Sequence, residues 1–261
     1  MRRDQLSKLT PQSSTNAGLW LDKYLRGEAP DRKEQPKSLL VKEVAGLSKA
    51  SDLYRDFFDR WKAALTNDQT RFATATVEGR LAIGLGDDGV LETSITLHHT
   101  YGVAYIRGSA LKGLAASFAR NRIGGMWKAE KFRGGKWQEI SPAYKVVFGE
   151  TDEAGYLTFH DALYVPGSGH NGQALHADIL TVHHKDYYGN KPDAPPADWD
   201  EPNPVPFLSA TGKYLIAVSA PKGCEEWRQA ALEILKLALA EEGIGAKTSS
   251  GYGRMTLEVI K

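Results

Sequence analysis

Residues 213–260 read KYLIAVSAPKGCEEWRQAALEILKLALAEEGIGAKTSSGYGRMTLEVI, and this stretch decides the fold. Residues 213–219 form an apolar run of strand character. Residues 225–240 place Trp227, Ala231, Ile234, Leu235 and Ala238 on one side of a helix. Residues 255–260 close the chain as another strand. Between helix and last strand lies GIGAKTSSGYGR, residues 243–254, with four glycines, a Lys-Thr pair and two serines. A nucleotide-binding P-loop needs glycine directly before its lysine and must lead from a strand into a helix. Here Ala246 precedes Lys247, and the loop leads from a helix into a strand. A mononucleotide loop is therefore excluded, and two readings stand. In one, Gly245, Lys247, Thr248, Ser249, Ser250, Gly251, Tyr252 and Arg254 grip a polynucleotide backbone through amides, hydroxyls and charge, with Tyr252 stacking. In the other, the glycines only make a tight connection.

Outward from this unit, a similar one appears earlier. Ser51 caps a predicted helix with Tyr54, Phe57, Phe58, Trp61 and Leu65 at helical spacing. A strand follows over 70–85, then a turn at 86–89, then a helix after Gly108 capped by Ser109, with Leu111, Leu114, Ala115 and Phe118 on one face. Strands are expected over 156–165 and 174–182. Stripped of insertions, the order is strand, helix, strand, strand, helix, strand, which predicts an α+β fold with a ferredoxin-like, RRM-like βαββαβ core. The expected layout is one domain over 1–261: an irregular arm over 1–50, broken by Pro11, Pro30 and Pro36, a helical extension, and a core over about 70–261. Insertions fall at about 124–150 and 186–210; the second has six prolines between 192 and 206 and is expected to be irregular.

The 261 residues suffice for a sizeable core, and the composition is ordinary for a globular protein. There is no membrane-length apolar run and no apolar signal region near Met1, so a cytoplasmic location is expected. A single cysteine, Cys224, excludes an intramolecular disulfide and a multi-cysteine zinc site. Net charge is +1, but its distribution is uneven. Residues 100–149 hold nine Lys/Arg against Glu130 and Glu139, whereas 193–203 hold Asp193, Asp198, Asp200 and Glu201 with no base. A basic middle facing a polyanion is one reading, and ordinary solvated patches are the other.

The helix start at 107–112, Arg-Gly-Ser-Ala-Leu-Lys, suits a phosphate: Gly108 and Ser109 expose amides at a positive dipole end, and Lys112 lies in the first turn. Plain capping by Ser109 would use the same residues. The seven histidines include two adjacent pairs, His98-His99 and His183-His184, near Tyr101 and Asp186 respectively. Neighbours on a strand point to opposite faces, so neither pair chelates a metal by itself, and no metal or other cofactor is expected. No nucleophile elbow occurs. Trp127, Phe132 and Trp137, interleaved with Lys128, Lys131, Arg133 and Lys136, either stack on unpaired bases or anchor a hairpin to a neighbour.

Taken together, TLHHTYGVAYIRGSALKGLAASFAR, GIGAKTSSGYGRM and ADILTVHHKDYYGNKPDAPPADWDEPNPVPFLSATGKYLIAVSA resemble the RAMP superfamily of CRISPR proteins. The third stretch resembles one branch of it, the sixth, backbone-capping subunit of the type III-B (Cmr) RNA-targeting effector complex. The resemblance covers about 70–261. It implies a non-catalytic RNA-binding subunit at the end of a helical backbone, beside the repeating slicer subunit and the first subunit, with crRNA and target RNA as partners and no membrane. It places Arg107, Gly108, Ser109, Lys112, Arg120 and the 243–254 loop toward RNA, and leaves His98, His99, Tyr101, His183 and His184 as RNA-facing or structural. Two departures are Arg107, where the family usually has proline, and Val182-His183-His184 in place of Pro-His-Tyr. Some relatives in the superfamily are metal-independent endonucleases, so His98 or His99 with Lys112 and Tyr101 provides an alternative as a guide-processing site. A protein–protein cap without RNA contact is the other alternative.

Overall fold

The computed structural model describes residues 9–27, 35–47, 49–133, 136–182 and 203–260. Strand β9 (Lys213–Ser219) is buried over five consecutive residues, as a strand covered on both faces must be. It lies at the centre of a six-stranded sheet of order β10-β1-β9-β6-β2, with β5 also pairing β9. The partners are β1 (Thr70–Val77), β2 (Tyr105–Ile106), β5 (Thr158–Phe159), β6 (Ala162–Tyr164) and β10 (Met255–Val259). Every pairing in it is antiparallel. Two separate two-stranded sheets pair β3 (Ala129–Arg133) with β4 (Lys136–Ile140), and β7 (Leu175–Val182) with β8 (Asn203–Ala210). The fold is thus mixed α/β with antiparallel sheets.

The two faces of the main sheet follow from strand alternation. Ala73, Ala75, Tyr214, Ile216 and Val218 join the main core with α4 (Gly108–Phe118) and α6 (Glu225–Glu241), through Leu111, Ala115, Phe118, Ala231, Leu235 and Ala238. Phe72, Leu163 and Leu215 meet α3 (Asp52–Leu65) on the other side, where Phe58 is buried and Phe57 and Trp61 pack around it. The Tyr54 hydroxyl of α3 donates to the Tyr164 carbonyl at 2.7 Å. Ser51 caps α3 as expected, accepting from the Tyr54 amide.

Several sequence expectations are corrected. The 1–50 arm is not irregular throughout: α1 (Ala17–Lys23) and α2 (Pro36–Gly46) are helical. Asn16 caps α1 by accepting from the Leu19 amide and ties it down by donating to the carbonyls of His99 and Thr100. The Trp20 indole donates to Glu43 of α2, and Pro36 sits at the first turn, where its missing N–H costs nothing. The 186–210 insertion is not wholly irregular either. Pro204 and Pro206 lie within β8, which among the described residues pairs with β7 on one edge and on the other only through the Ala210–Leu81 bridge, so the prolines sit where that other edge is unpaired. The strand expected over 70–85 ends at Val77, leaving a single bridge from Leu81 to Ala210. The strand expected over 156–165 is split at His160-Asp161 into β5 and β6. Helix α5 (Pro142–Phe148), capped by Ser141, was not anticipated. None of the described helices is long and apolar enough to cross a membrane.

Candidate nucleic-acid interface

The first turn of α4 departs from its sequence reading. Ser109 is not the cap: Arg107 holds that position, and its side chain makes no capping hydrogen bond. The Gly108 amide instead donates to the Asp161 carboxylate at 2.7 Å, fifty-three residues away. A β-carbon at Gly108 would stand 2.1 Å from the Phe159 carbonyl oxygen, so this glycine serves close helix–strand approach. Ser109 is exposed and Lys112 half-exposed, and among the described residues Lys112 makes no ion pair. Arg107 pairs with Asp87 at 3.1 Å. Its guanidinium is held above its ordinary range by the Tyr105 hydroxyl and then by that carboxylate. Arg120 lies beyond the far end of α4, roughly 18 Å along the helix axis from Gly108, beside Asn121 and Tyr144. The structure separates it from the helix start.

The glycine loop is fastened at several points. The Ala246 amide donates to the Ala82 carbonyl, and the Gly253 amide to that of Arg80. Tyr252, read as a stacking residue, donates its hydroxyl to Asp178 of β7 at 2.9 Å and packs its ring near Phe207 of β8. Arg254, read as a phosphate contact, donates to the Ala240 carbonyl at 2.7 Å and so closes the C-terminal end of α6. What the loop presents outward is Gly245, Lys247, Ser249, Ser250 and Gly251, exposed, with Thr248 half-buried. Lys247 adopts a left-handed conformation (φ 59°), and among the described residues it has no ion-pair partner.

Segment 80–87 connects the two elements. Its start carries the loop through Arg80 and Ala82, and its end holds Arg107 through Asp87. Beyond Arg107 a groove of about 870 Å³ opens between α1 and residues 94–99, lined among others by Asp22, Lys23, Asp87, His98, Tyr105 and Arg107. The His98 ring lies among Phe57, Tyr101 and Tyr105, with centroids 5.3, 4.8 and 5.9 Å away. Burial lowers its pKa, against the raising influence of Asp161. Tyr101 stacks on Phe57 at 4.7 Å, and His99 is exposed. His183 and His184 lie outside the described residues. Among the described residues, no three His, Cys, Asp or Glu side chains are grouped to hold a metal.

Sequence reasoning missed Asp161, Asp87 and Arg80. The first two act across long sequence separations, and Arg80 sits just past a strand end with no local motif. Comparison with known proteins gives three relevant matches. A profile of the RAMP superfamily matches residues 74–256. The CRISPR system Cmr subunit Cmr6 of Pyrococcus furiosus is 31% identical over 264 aligned residues, spanning 84% of this chain and 77% of the relative. A chain in the cryo-EM structure of the Type III-B Cmr-beta complex bound to cognate target RNA is similar in fold, with TM-score 0.61 and 20% identity, covering 90% of this chain and 79% of that one.

Proposed function

This chain belongs to the RAMP superfamily, and on that premise we propose that it is a Cmr6-type, non-catalytic RNA-binding subunit of a type III-B CRISPR ribonucleoprotein. It caps the complex backbone near the crRNA 3′ region and supports target-RNA interference in the cytoplasm, as a single domain. Its partners are crRNA, target RNA and the other Cmr subunits, including the repeating slicer subunit and the first subunit. The observation that carries this reading is the 31% identity to a Cmr subunit over 84% of the chain. We read the core as ferredoxin-like and RRM-like; the order β10-β1-β9-β6, with α4 and α6 sharing one core, supports that reading.

The RNA path proposed here avoids the sheet face on which an RRM stacks bases. Helix α3 lies over Phe72, Leu163 and Leu215 on that side. RNA instead runs past the start of α4 and the glycine loop, where Lys112 and Lys247 supply charge. Ser109, Thr248, Ser249 and Ser250 add hydroxyls. Such contacts tolerate any guide sequence, because they address phosphates and not base edges. Packing of His98 among Phe57, Tyr101 and Tyr105 supports a structural role for that histidine over a catalytic one.

Reconstitution with the other Cmr subunits and crRNA tests the proposal. Lys112→Ala and Lys247→Ala should each weaken RNA retention and lower the slope of log affinity against log salt by about 0.7, the value for one phosphate contact on a single strand. Unchanged retention in both variants would leave a protein cap. Metal-independent cleavage of repeat RNA by the isolated chain, lost in His98→Ala, would make it an endonuclease.

A further inference from the structure

Arg80 and Ser209 flank the bridge that joins Leu81 to Ala210. In an antiparallel pair, residues at positions one before and one after a bridge share a face, so Arg80, Ser209 and Thr211 lie together, opposite to Leu81 and Ala210. On that face two donors have no partner among the described residues. Nη1 of Arg80 and Oγ of Ser209 are both enclosed and both without a hydrogen bond. Ser209 is 0% exposed. Thr211 is occupied: its hydroxyl donates to the Gln173 carbonyl and meets Nε2 of His176.

The acid nearest the seam does not relieve this. Asp178 accepts from the Ile179 amide through Oδ1 and from the Tyr252 hydroxyl through Oδ2, both at 2.9 Å. It fastens the glycine loop to β7 and is not hydrogen-bonded to the arginine. Enclosing a guanidinium N–H and a hydroxyl without acceptors costs free energy, and both groups lack the same kind of partner, an oxygen acceptor. An arginine left with a free donor is suited to an oxyanion such as a phosphate, whose oxygens accept from the planar guanidinium. The backbone of Arg80 is fixed, because its carbonyl accepts from the Gly253 amide of the glycine loop.

We propose that the seam between the glycine loop and the β7–β8 sheet is a phosphate site, in which Arg80 binds one phosphodiester of the RNA backbone and Ser209 adds a hydrogen bond. The site rests on the RNA-binding reading above and extends it: the loop's exposed rim meets the strand through Lys247, and Arg80 anchors it from beneath. His176 lies opposite Ser209 in the β7–β8 ladder, and burial and then Arg80 lower its pKa.

The test uses the full chain and a labelled single-stranded oligouridylate, with affinity measured over a salt series. Arg80→Gln should bind about tenfold more weakly and lower the salt slope by about 0.7. Ser209→Ala removes an unpartnered hydroxyl, so it should keep or raise the melting temperature while weakening RNA binding several-fold. A purely structural role predicts no such opposition between stability and binding. If the wild-type chain binds and both variants bind equally well, the site is overturned and the RNA-binding reading stands. If Arg80→Gln fails to fold, Ser209→Ala alone decides by the same criterion. No binding by the wild-type chain overturns both. Loss of subunit co-purification with RNA affinity unchanged would make the seam a protein contact and overturn the site.

Discussion

Gly253 shows how closely the candidate interface is tied to the fold. It has φ +74°, and a β-carbon there would stand 1.9 Å from the Ile244 carbonyl oxygen, which accepts no such approach. Gly251, two residues earlier in the same loop, has φ +89° with open space around it. The two positions therefore separate backbone preference from steric fit. Gly251→Ala should cost about 1–2 kcal/mol, the left-handed penalty alone. Gly253→Ala carries that penalty and also forces the Ile244–Gly253 strands of the loop apart, so it should cost clearly more. Urea unfolding of the two variants checks the order; equal losses would show that the loop yields at Gly253. Tyr252 and Arg254 belong to the same account. Their side chains hold the loop to Asp178 and to the Ala240 carbonyl, which leaves Lys247 as the loop's outward cation.

Among the elements, α3 has the greatest consequence for the proposed RNA path, since it covers the face of the main sheet opposite α4 and α6. Phe58, 8% exposed, is its anchor against Leu163 and Leu215. Truncating a buried phenylalanine costs about 3–5 kcal/mol in a closed core, and this small cluster should lie at the lower end. Phe58→Ala should therefore lower the unfolding midpoint while RNA retention, measured below the melt, stays at the wild-type level. Weakened retention with an unchanged midpoint would place RNA beneath α3. Helix α3 was legible because its five apolar residues and Ser51 carry the signal locally. The β9–α6–β10 unit was legible for the same reason, each element having its own period and no insertion. Helix α1 has only seven residues and is held by Asn16 bonds to His99 and Thr100, partners that no sequence window contains. Strand β8 was hidden by Pro204 and Pro206, whose meaning depends on knowing that, among the described residues, the strand's other edge is unpaired at those positions. At the candidate site, residue types were read more accurately than roles. Among the described residues Lys112 and Lys247 make no ion pair, whereas the cap of α4 comes from Asp161, and Arg80, with only its Nη1 enclosed, has no motif.

Across the whole molecule, three half-buried histidines couple the separate parts to pH. His98 lies between α3 and the strand-entry segment, His160 beside β9, and His176 on β7. Nε2 of His160 is 2.8 Å from the Ser219 hydroxyl. In all three, burial is the largest influence and lowers the pKa from 6.5. Asp161 opposes this at His98 and His160, and Asp178 at His176, while His99, Arg80 and His170 reinforce it. An unfolded chain then binds more protons than the folded one in this range, so stability rises with pH there. The stabilising share is complete above the unfolded value of about 6.5 and is lost as pH falls through it toward the folded values. Glu92 and Glu225, lowered from 4.5, act in the same direction but only in a more acidic window. The urea midpoint should accordingly fall between about pH 7.5 and about pH 5.5, before carboxylates contribute. A His98→Gln, His160→Gln, His176→Gln variant should flatten that dependence. A wild-type midpoint that does not move over this interval would mean that the three imidazoles protonate in the folded state as freely as in the unfolded chain, and burial would then not be holding them neutral.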